Sequence, residues 1–163
     1  MRRPIRARAP PASSQGVRRI MRRVGRENTA CEIRVRSAVH RVGLRFRVNW
    51  RPDPELKCKA DLIFPTQRVC VFVDGCFWHG CRKHFRPPTT NRSWWIEKIR
   101  DVQARDRRQA AVLRHAGCTV IRCWEHEVFG DLSTVVEDIA VAVGRRQKRV
   151  AMTLHLGLAA HCR

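Results

Sequence analysis

Acidic residues are scarce in this sequence. Its 163 residues include 14 Asp and Glu against 34 Lys and Arg, which gives a formal net charge of +20. A solubilising surface does not need such an excess, so the charge points to a polyanionic partner, of which nucleic acid is the commonest. Binding to a membrane surface is the rival interpretation, but no amphipathic apolar segment accompanies the charge.

Long apolar runs are also missing. The sequence has no N-terminal apolar run of the signal-peptide type and no apolar span of about 18 residues, so we expect a cytoplasmic protein. The eight cysteines should then stay reduced or bind metal, because disulfides are rare in that compartment. No internal repeat, Walker loop or GxGxxG motif occurs either.

Composition and periodicity divide the chain into three parts. Residues 1–16, rich in Arg, Pro and Ser, predict a disordered basic arm, and residues 145–163 form a C-terminal tail in which we find no chemistry. Residues 17–144 predict one domain in which helix, strands, helix, strand and helix follow one another. That order indicates an α/β architecture with a mixed sheet between flanking helices.

The first long helix begins with a capping-box pattern, in which Thr29 is followed three residues later by Glu32. We expect it to end at Gly43 and to bury one apolar face made of Ala30, Ile33, Ala38 and Val42. The capping box gives Glu32 a structural explanation, and a catalytic role is the alternative.

Metal-ligand residue types are concentrated in residues 69–84, which read VCVFVDGCFWHGCRKH. The apolar start predicts a buried strand that ends at Asp74. The loop after it carries three ligands in C-x4-C-x2-H spacing: Cys76, Cys81 and His84. Thiolates and imidazoles at such short spacing are typical of a tetrahedral structural zinc site, although free cysteines also pack as small apolar residues.

The predicted zinc site needs a fourth ligand from elsewhere in the chain. We favour His126, which follows another predicted strand. Cys123 is the competitor, but alternation along residues 119–124 sends it towards the core. His79 could also replace His84, since spacing alone does not separate these two assignments.

Three polar residues suit metal-assisted hydrolysis of a phosphodiester: Asp61, Asp74 and His79. Asp61 begins an apolar strand that should form a hairpin with the strand ending at Asp74. A carboxylate there is costly unless it is solvated or binds a cation. We expect Asp61 to hold Mg²⁺ against the scissile phosphate and His79 to take a proton from the attacking water. The alternative is that Asp61 is a solvated carboxylate at the end of a loop.

Several apolar side chains could insert between the bases of DNA. They are Phe77 and Trp78 in the ligand loop, Trp95 at the start of a long helix, and Met21 and Val24 in the basic segment 17–26. The structural alternatives are ordinary core aromatics and a short surface helix.

The segments FVDGCFWHGC, NRSWWIEKI, ARDRRQAAVLRHAGC and CWEHE resemble the very-short-patch repair (Vsr) endonucleases, over about Met21 to Gly130. The resemblance implies a restriction-endonuclease-like three-layer core with a structural zinc site. It also implies an Mg²⁺-dependent enzyme of the bacterial nucleoid that nicks one DNA strand beside a T:G mismatch. A monomer is expected, because one asymmetric mismatch offers no twofold axis, and mismatch-repair proteins are the expected partners.

The resemblance also implies roles for single residues. Asp61 is similar to the metal-binding aspartate of the family, His79 to its catalytic histidine and Glu32 to a glutamate implicated in catalysis. The zinc ligands would be Cys76, Cys81, His84 and His126. Phe77, Trp78 and Trp95 match aromatics that intercalate beside the mismatch, and Met21 and Val24 match apolar residues that enter the minor groove.

Two positions depart from the best-known members of the family. Val73 stands where they have threonine, and its backbone carbonyl can still contact Mg²⁺. Asp74 stands where they have a second active-site histidine. Asp74 cannot mimic a cationic histidine but could become a further metal ligand. The alternative functions are a restriction-type or other structure-specific endonuclease and a zinc-stabilised DNA-binding protein without catalysis.

Overall fold

The computed structural model describes residues 9–12, 14–16, 18–19, 27–52 and 58–144. Four strands form one sheet in sequence order: β1 (Arg47–Trp50), β2 (Ala60–Phe64), β3 (Val69–Asp74) and β4 (Thr119–Trp124). β1 pairs with β2 and β2 with β3 in antiparallel fashion, whereas β3 and β4 are parallel. The predicted mixed sheet and the β2–β3 hairpin are therefore confirmed.

In the part of the chain from residue 27 onwards that the structure describes, the sheet is accompanied by α1 (Ala30–Arg41), α2 (Arg92–His115), α3 (Glu125–Gly130) and α4 (132–144). The Thr29 hydroxyl accepts a hydrogen bond from the Glu32 amide, as the capping-box pattern predicts. The long α2 provides the connection that parallel strands β3 and β4 require. The short α3 was not predicted, because six residues are too few to display a helical period.

Two apolar cores lie on opposite faces of the sheet. On one face, Val71 of β3 packs with Val35 of α1 and Ile139 of α4. On the other, Phe72 of β3 packs with Leu113 of α2. The alternation of side chains along β3 thus sends neighbouring residues to different helical layers, and helices cover both faces of the sheet.

The buried face of α1 differs from the predicted one. Cys31, Val35 and Val39 are buried together with the predicted Ala38, whereas Ile33 and Val42 are 50% and 56% exposed and Ala30 is exposed. The prediction for these three was wrong, because the apolar residues of α1 form two overlapping stripes and only packing against the sheet selects between them.

The predicted boundaries at residues 16 and 144 remain predictions. Most of the basic arm and all of the C-terminal tail lie outside the described residues, as do Met21 and Val24. Among the helices in the described part of the chain, none combines the length and the apolar character needed to cross a bilayer.

Candidate active site and metal centre

The carboxyl ends of β3 and β4 bring two loops together. Because these strands are parallel and in register, Asp74 at the end of β3 lies beside Trp124 at the end of β4. The chain after Asp74 enters the ligand loop, and the chain after Trp124 enters α3. Residues far apart in sequence therefore meet at one edge of the sheet.

A Cys₂His₂ cluster occupies this edge. It brings together the four predicted ligands: Cys76, Cys81, His84 and His126, with their ligand atoms all within 4.8 Å of one another. The His126 Nδ1 atom lies 3.3 Å from Cys76 Sγ and 3.7 Å from Cys81 Sγ. The His84 Nδ1 atom lies 4.0 Å and 3.7 Å from the same two sulfurs.

The cluster fits a tetrahedral zinc ion. Bonds of about 2.0 Å to nitrogen and 2.3 Å to sulfur give a tetrahedron with edges of roughly 3.3 to 3.8 Å. The sulfur–nitrogen separations of 3.3 to 4.0 Å are close to these edges, and the whole donor set lies within 4.8 Å. Burial and the neighbouring Cys81 raise the pKa of the Cys76 thiol, against a lowering contact from the His126 backbone. Binding a cation here would therefore release protons.

The geometry argues against both alternative ligands, Cys123 and His79. Cys123 lies in the core that contains Val71, and burial raises the pKa of its thiol to about 12. His79 does not point into the cluster, because its ring is bound elsewhere.

His79 lies between two carboxylates. Its Nδ1 atom is 2.7 Å from Asp106 Oδ2 and 3.4 Å from Asp74 Oδ1. The histidine side chain is 24% exposed, whereas those of Asp74 and Asp106 are 4% and 11% exposed. With Nδ1 engaged on the buried side, Nε2 is the ring nitrogen that can face a substrate.

Asp106 is ionised in this arrangement. Burial alone would raise the pKa of its carboxyl, but hydrogen bonds from His79 and Arg105 outweigh burial and leave the pKa below its ordinary value. Since an ionised carboxylate only accepts, Nδ1 of His79 must carry the hydrogen.

Sequence reasoning missed two members of this network, Asp106 and Arg122. Arg122 binds both oxygens of Asp74, with Nε–Oδ2 and Nη2–Oδ1 distances of 2.6 Å. A signal for Asp106 exists in the sequence, because it lies seven residues from the buried Ile99 and Leu113, on the apolar stripe of α2. A charged residue on such a stripe needs a partner.

Asp61 lies where the hairpin pairing ends. Its Oδ2 atom accepts a hydrogen bond of 2.7 Å from the Val73 amide, so the two residues predicted to hold Mg²⁺ are in contact. Burial raises the pKa of Asp61 to about 6, with smaller contributions from the charges of Glu32 and Asp74 and an opposing one from the Val73 amide. An ionised carboxylate is thus costly here, and a bound cation would offset that cost.

Glu32 has a full set of partners. Its carboxylate accepts hydrogen bonds from the Asn28 amide at 2.9 Å, the Thr29 hydroxyl at 3.0 Å and Arg36 at 2.9 Å. It is only 5% exposed. These contacts explain its burial at the start of α1. The negative charge of Glu32 also contributes to the raised pKa of the nearby Asp61 carboxyl.

The predicted base-stacking aromatics form one cluster. The Phe77 ring lies 5.1 Å from both Trp78 and Trp95, and Lys98 Nζ lies 4.8 Å from the Trp95 ring and from Trp94. Trp95 is only 6% exposed, whereas Phe77 and Trp78 are half-buried. Phe77 and Trp78 therefore present the accessible ring surface.

Gly80 lets the ligand loop lie directly on α2. Its φ is +67°, and a Cβ at this position would overlap the side chains of Ile99 and Gln103. Gln103 Nε2 donates hydrogen bonds to the carbonyls of His79 and Gly80, at 3.3 Å and 3.0 Å. These contacts fix the backbone that carries His79.

Comparison with known proteins shows clear relatives. The family described as DNA mismatch endonuclease Vsr matches residues 14–84. The type II nicking enzyme V.NaeI of Lentzea aerocolonigenes is 40% identical over 131 residues, which cover 79% of each chain. The type II nicking enzyme V.XorIIP of Xanthomonas oryzae is 38% identical over 68% of this chain and 80% of its own. The DNA mismatch endonuclease Vsr of Escherichia coli is 36% identical over 68% of this chain and 69% of its own.

Proposed function

The chain belongs to the Vsr family of DNA mismatch endonucleases, and from that premise we propose that it nicks one DNA strand beside a T:G mismatch by Mg²⁺-assisted hydrolysis. The observation that carries the proposal is the partly buried hydrogen bond between His79 and Asp106, at the same edge of the sheet as the Asp61–Val73 contact. A protein that only binds DNA has no need of this combination.

We infer a restriction-endonuclease-like core for the domain. Support comes from the mixed sheet with helices on both faces and from the acidic residue Asp61 on the β2–β3 hairpin. This arrangement places the carboxylate next to the strand that leads into the histidine loop.

His79 is proposed as the general base. Asp106 holds its Nδ1–H, so the free Nε2 can take a proton from the attacking water, an effect worth roughly 10²- to 10⁴-fold. The water attacks phosphorus in line with the leaving oxygen, which departs as the P–O bond breaks. The exposure of His79, at 24% of its side chain, leaves the room that this role requires.

Asp61 and the Val73 carbonyl are the residues proposed to hold Mg²⁺. When bound, the cation would stabilise charge that develops on the phosphoryl and leaving oxygens. The half-buried Asp61 carboxylate supplies the negative charge for its binding. Glu32 is proposed to act through its charge near Asp61, since its oxygens are already bound by protein groups.

Zinc is proposed for the Cys₂His₂ cluster, where it would have a structural role. Cys76 and Cys81 flank His79 in the loop, while His126 belongs to the chain after β4. A metal at this point would hold the general base in a fixed place relative to the sheet.

DNA binding is assigned to the net charge of +20 and to the aromatic cluster. Phe77 and Trp78 are proposed to stack on bases beside the mismatch, and Trp95 to support them from below and to stack only after the cluster opens. Met21 and Val24 are proposed to enter the minor groove. We expect a monomer that acts on chromosomal DNA in the cytoplasm, together with mismatch-repair proteins.

A second candidate is an endonuclease that nicks a defined short sequence regardless of pairing. It is favoured by two relatives that carry the name type II nicking enzyme. The difference lies in the substrate, because both functions would use the same residues for hydrolysis.

A nicking assay with matched duplexes separates these functions. The zinc-loaded protein is incubated with Mg²⁺ and labelled duplexes that differ only in carrying T:G or T:A at a methylated-cytosine site. Selective nicking of the T:G duplex supports mismatch repair, whereas equal rates support the second candidate. Binding of both duplexes without any nicking would contradict the nuclease proposal.

A further inference from the structure

Arg122 lies between the sheet and α2, where it touches both carboxylates that flank the His79 ring. The register of β3 and β4 places it beside Phe72, and its guanidinium carbon lies 5.3 Å from the centroid of that ring. It binds both oxygens of Asp74, and Nη2 also lies 3.2 Å from Asp106 Oδ2. One guanidinium thus bridges a carboxylate on β3 and a carboxylate on α2.

Two poorly solvated carboxylates beside one imidazole nitrogen need a compensating cation. Arg122 remains charged there, because the contacts with Asp74 and Asp106 outweigh burial and raise the pKa of its guanidinium above its ordinary value. Arg105 is a weaker source of charge, since its side chain is 50% exposed and bonds only to Asp106. The planar fork of a guanidinium can satisfy one carboxylate with two bonds and still reach a second.

We propose that Arg122 is a positioning residue of this enzyme, which clamps Asp74 and Asp106 together and thereby fixes the direction of His79 Nε2. The inference rests on the proposed nuclease function. It assigns Asp74 to this clamp and not to the metal, because both of its oxygens already bind Arg122.

The test compares single-turnover nicking of the T:G duplex by the full-length zinc-loaded protein and three variants. Arg122→Gln should lower the rate constant about 10²-fold, as misplacement of a catalytic group by about 1 Å can do. Arg122→Lys keeps the charge but loses the fork, so its rate should be intermediate. Arg114→Gln removes the same charge from an exposed position in the last turn of α2 and should nick at the wild-type rate.

Further measurements distinguish positioning from a general loss of structure. The circular-dichroism spectrum and the half-saturating DNA concentration of Arg122→Gln should match those of Arg114→Gln when both are measured below their melting transitions. The melting temperature of Arg122→Gln should be the lower of the two, because two poorly solvated carboxylates lose their cation. Millimolar guanidinium ion should restore part of the activity of Arg122→Ala, whereas sodium ion at the same concentration should not. If Arg122→Gln fails to fold, the lysine variant and the guanidinium rescue decide the question.

An independent readout uses the imidazole signals of histidine labelled with nitrogen-15. The Nδ1–H signal of His79 should be present in the wild type and lost or strongly shifted in Arg122→Gln. An unchanged signal with an unchanged nicking rate overturns the inference and leaves the proposed function intact. If the wild type nicks no duplex, the proposed function fails, and the imidazole signal alone decides whether the clamp exists.

Discussion

Nδ1 of His79 lies 2.7 Å from Oδ2 of Asp106, although the two residues are 27 positions apart in the sequence. The loop after β3 supplies the imidazole and α2 supplies the carboxylate, so the pair forms only when α2 packs on the sheet. The structure thus links the general base proposed here to the correct assembly of the domain.

Replacing Asp106 with asparagine should reduce nicking by about 10²- to 10⁴-fold. The neutral amide no longer stabilises a protonated imidazole and can hold the ring in the wrong tautomer. Single-turnover nicking and DNA affinity should be measured together, and only the first should fall. Asp138→Asn, at an exposed position of α4, is the matched control. Near-normal nicking by Asp106→Asn would show that His79 acts without this partner.

The Gly80→Ala variant should lose both activity and stability. A methyl group here would overlap Ile99 and Gln103, and the positive φ is unfavourable for alanine. We expect a loss of about 1–3 kcal/mol in the free energy of unfolding, measured by urea denaturation, and slower nicking. Gly130→Ala is the control, because open space surrounds that glycine. Equal behaviour of the two variants would mean that the loop is not fixed on α2.

Substitution of Cys76 by serine should abolish tight zinc binding and destabilise the domain. A structural zinc site contributes on the order of 10 kcal/mol in zinc-finger peptides, so the melting temperature should fall sharply. Metal content measured by mass spectrometry should drop from one zinc per chain to none. Cys118→Ser, which alters a cysteine outside the cluster, should retain its zinc. Retention of zinc by Cys76→Ser would exclude the ligand set.

The Asp61→Asn variant should be inactive but more stable than the wild type in the absence of Mg²⁺. Burial raises the pKa of Asp61 from its ordinary value of 3.8 to about 6, so the folded state holds this proton to a higher pH than the unfolded chain. The contribution of Asp61 to the free energy of unfolding of the wild type therefore falls as the pH rises from about 4 to about 6. Above that range this contribution no longer changes with pH.

The stability gain of Asp61→Asn should depend on pH accordingly. It should approach about 3 kcal/mol at pH 8 and be roughly half as large at pH 5. Urea denaturation of both zinc-loaded proteins at the two pH values measures this difference. Added Mg²⁺ should stabilise the wild type and leave the variant unchanged. A variant that is less stable than the wild type at pH 8 would contradict the buried-carboxylate interpretation.

Local spacing allowed the metal cluster to be predicted from the sequence. Cys76, Cys81 and His84 lie on one short loop, so their proximity follows from chain connectivity. The fourth ligand, His126, could be chosen because strand alternation sends Cys123 into the core.

The partners of His79 could not be predicted in the same way. Asp106 and Arg122 reach it only through the placement of α2 and β4 on β3, which no local pattern encodes. Arg122 looks like any other arginine of this Arg-rich chain, and the position of Asp106 on the apolar stripe of α2 indicates that it needs a partner but not which one. The register of the parallel strand and the packing of the long helix determine these contacts.

The metal cluster joins points of the chain that are 50 residues apart, at Cys76 and His126. A bound ion would thus close a large loop that contains all of α2. A cross-link of that span lowers the conformational entropy of the unfolded chain and thereby raises the free energy of unfolding by roughly 4 kcal/mol. The three local ligands can capture zinc early, before the sheet is complete. The fourth is brought to the cluster by the pairing of β4 with β3, so completion of the metal shell would report on that pairing.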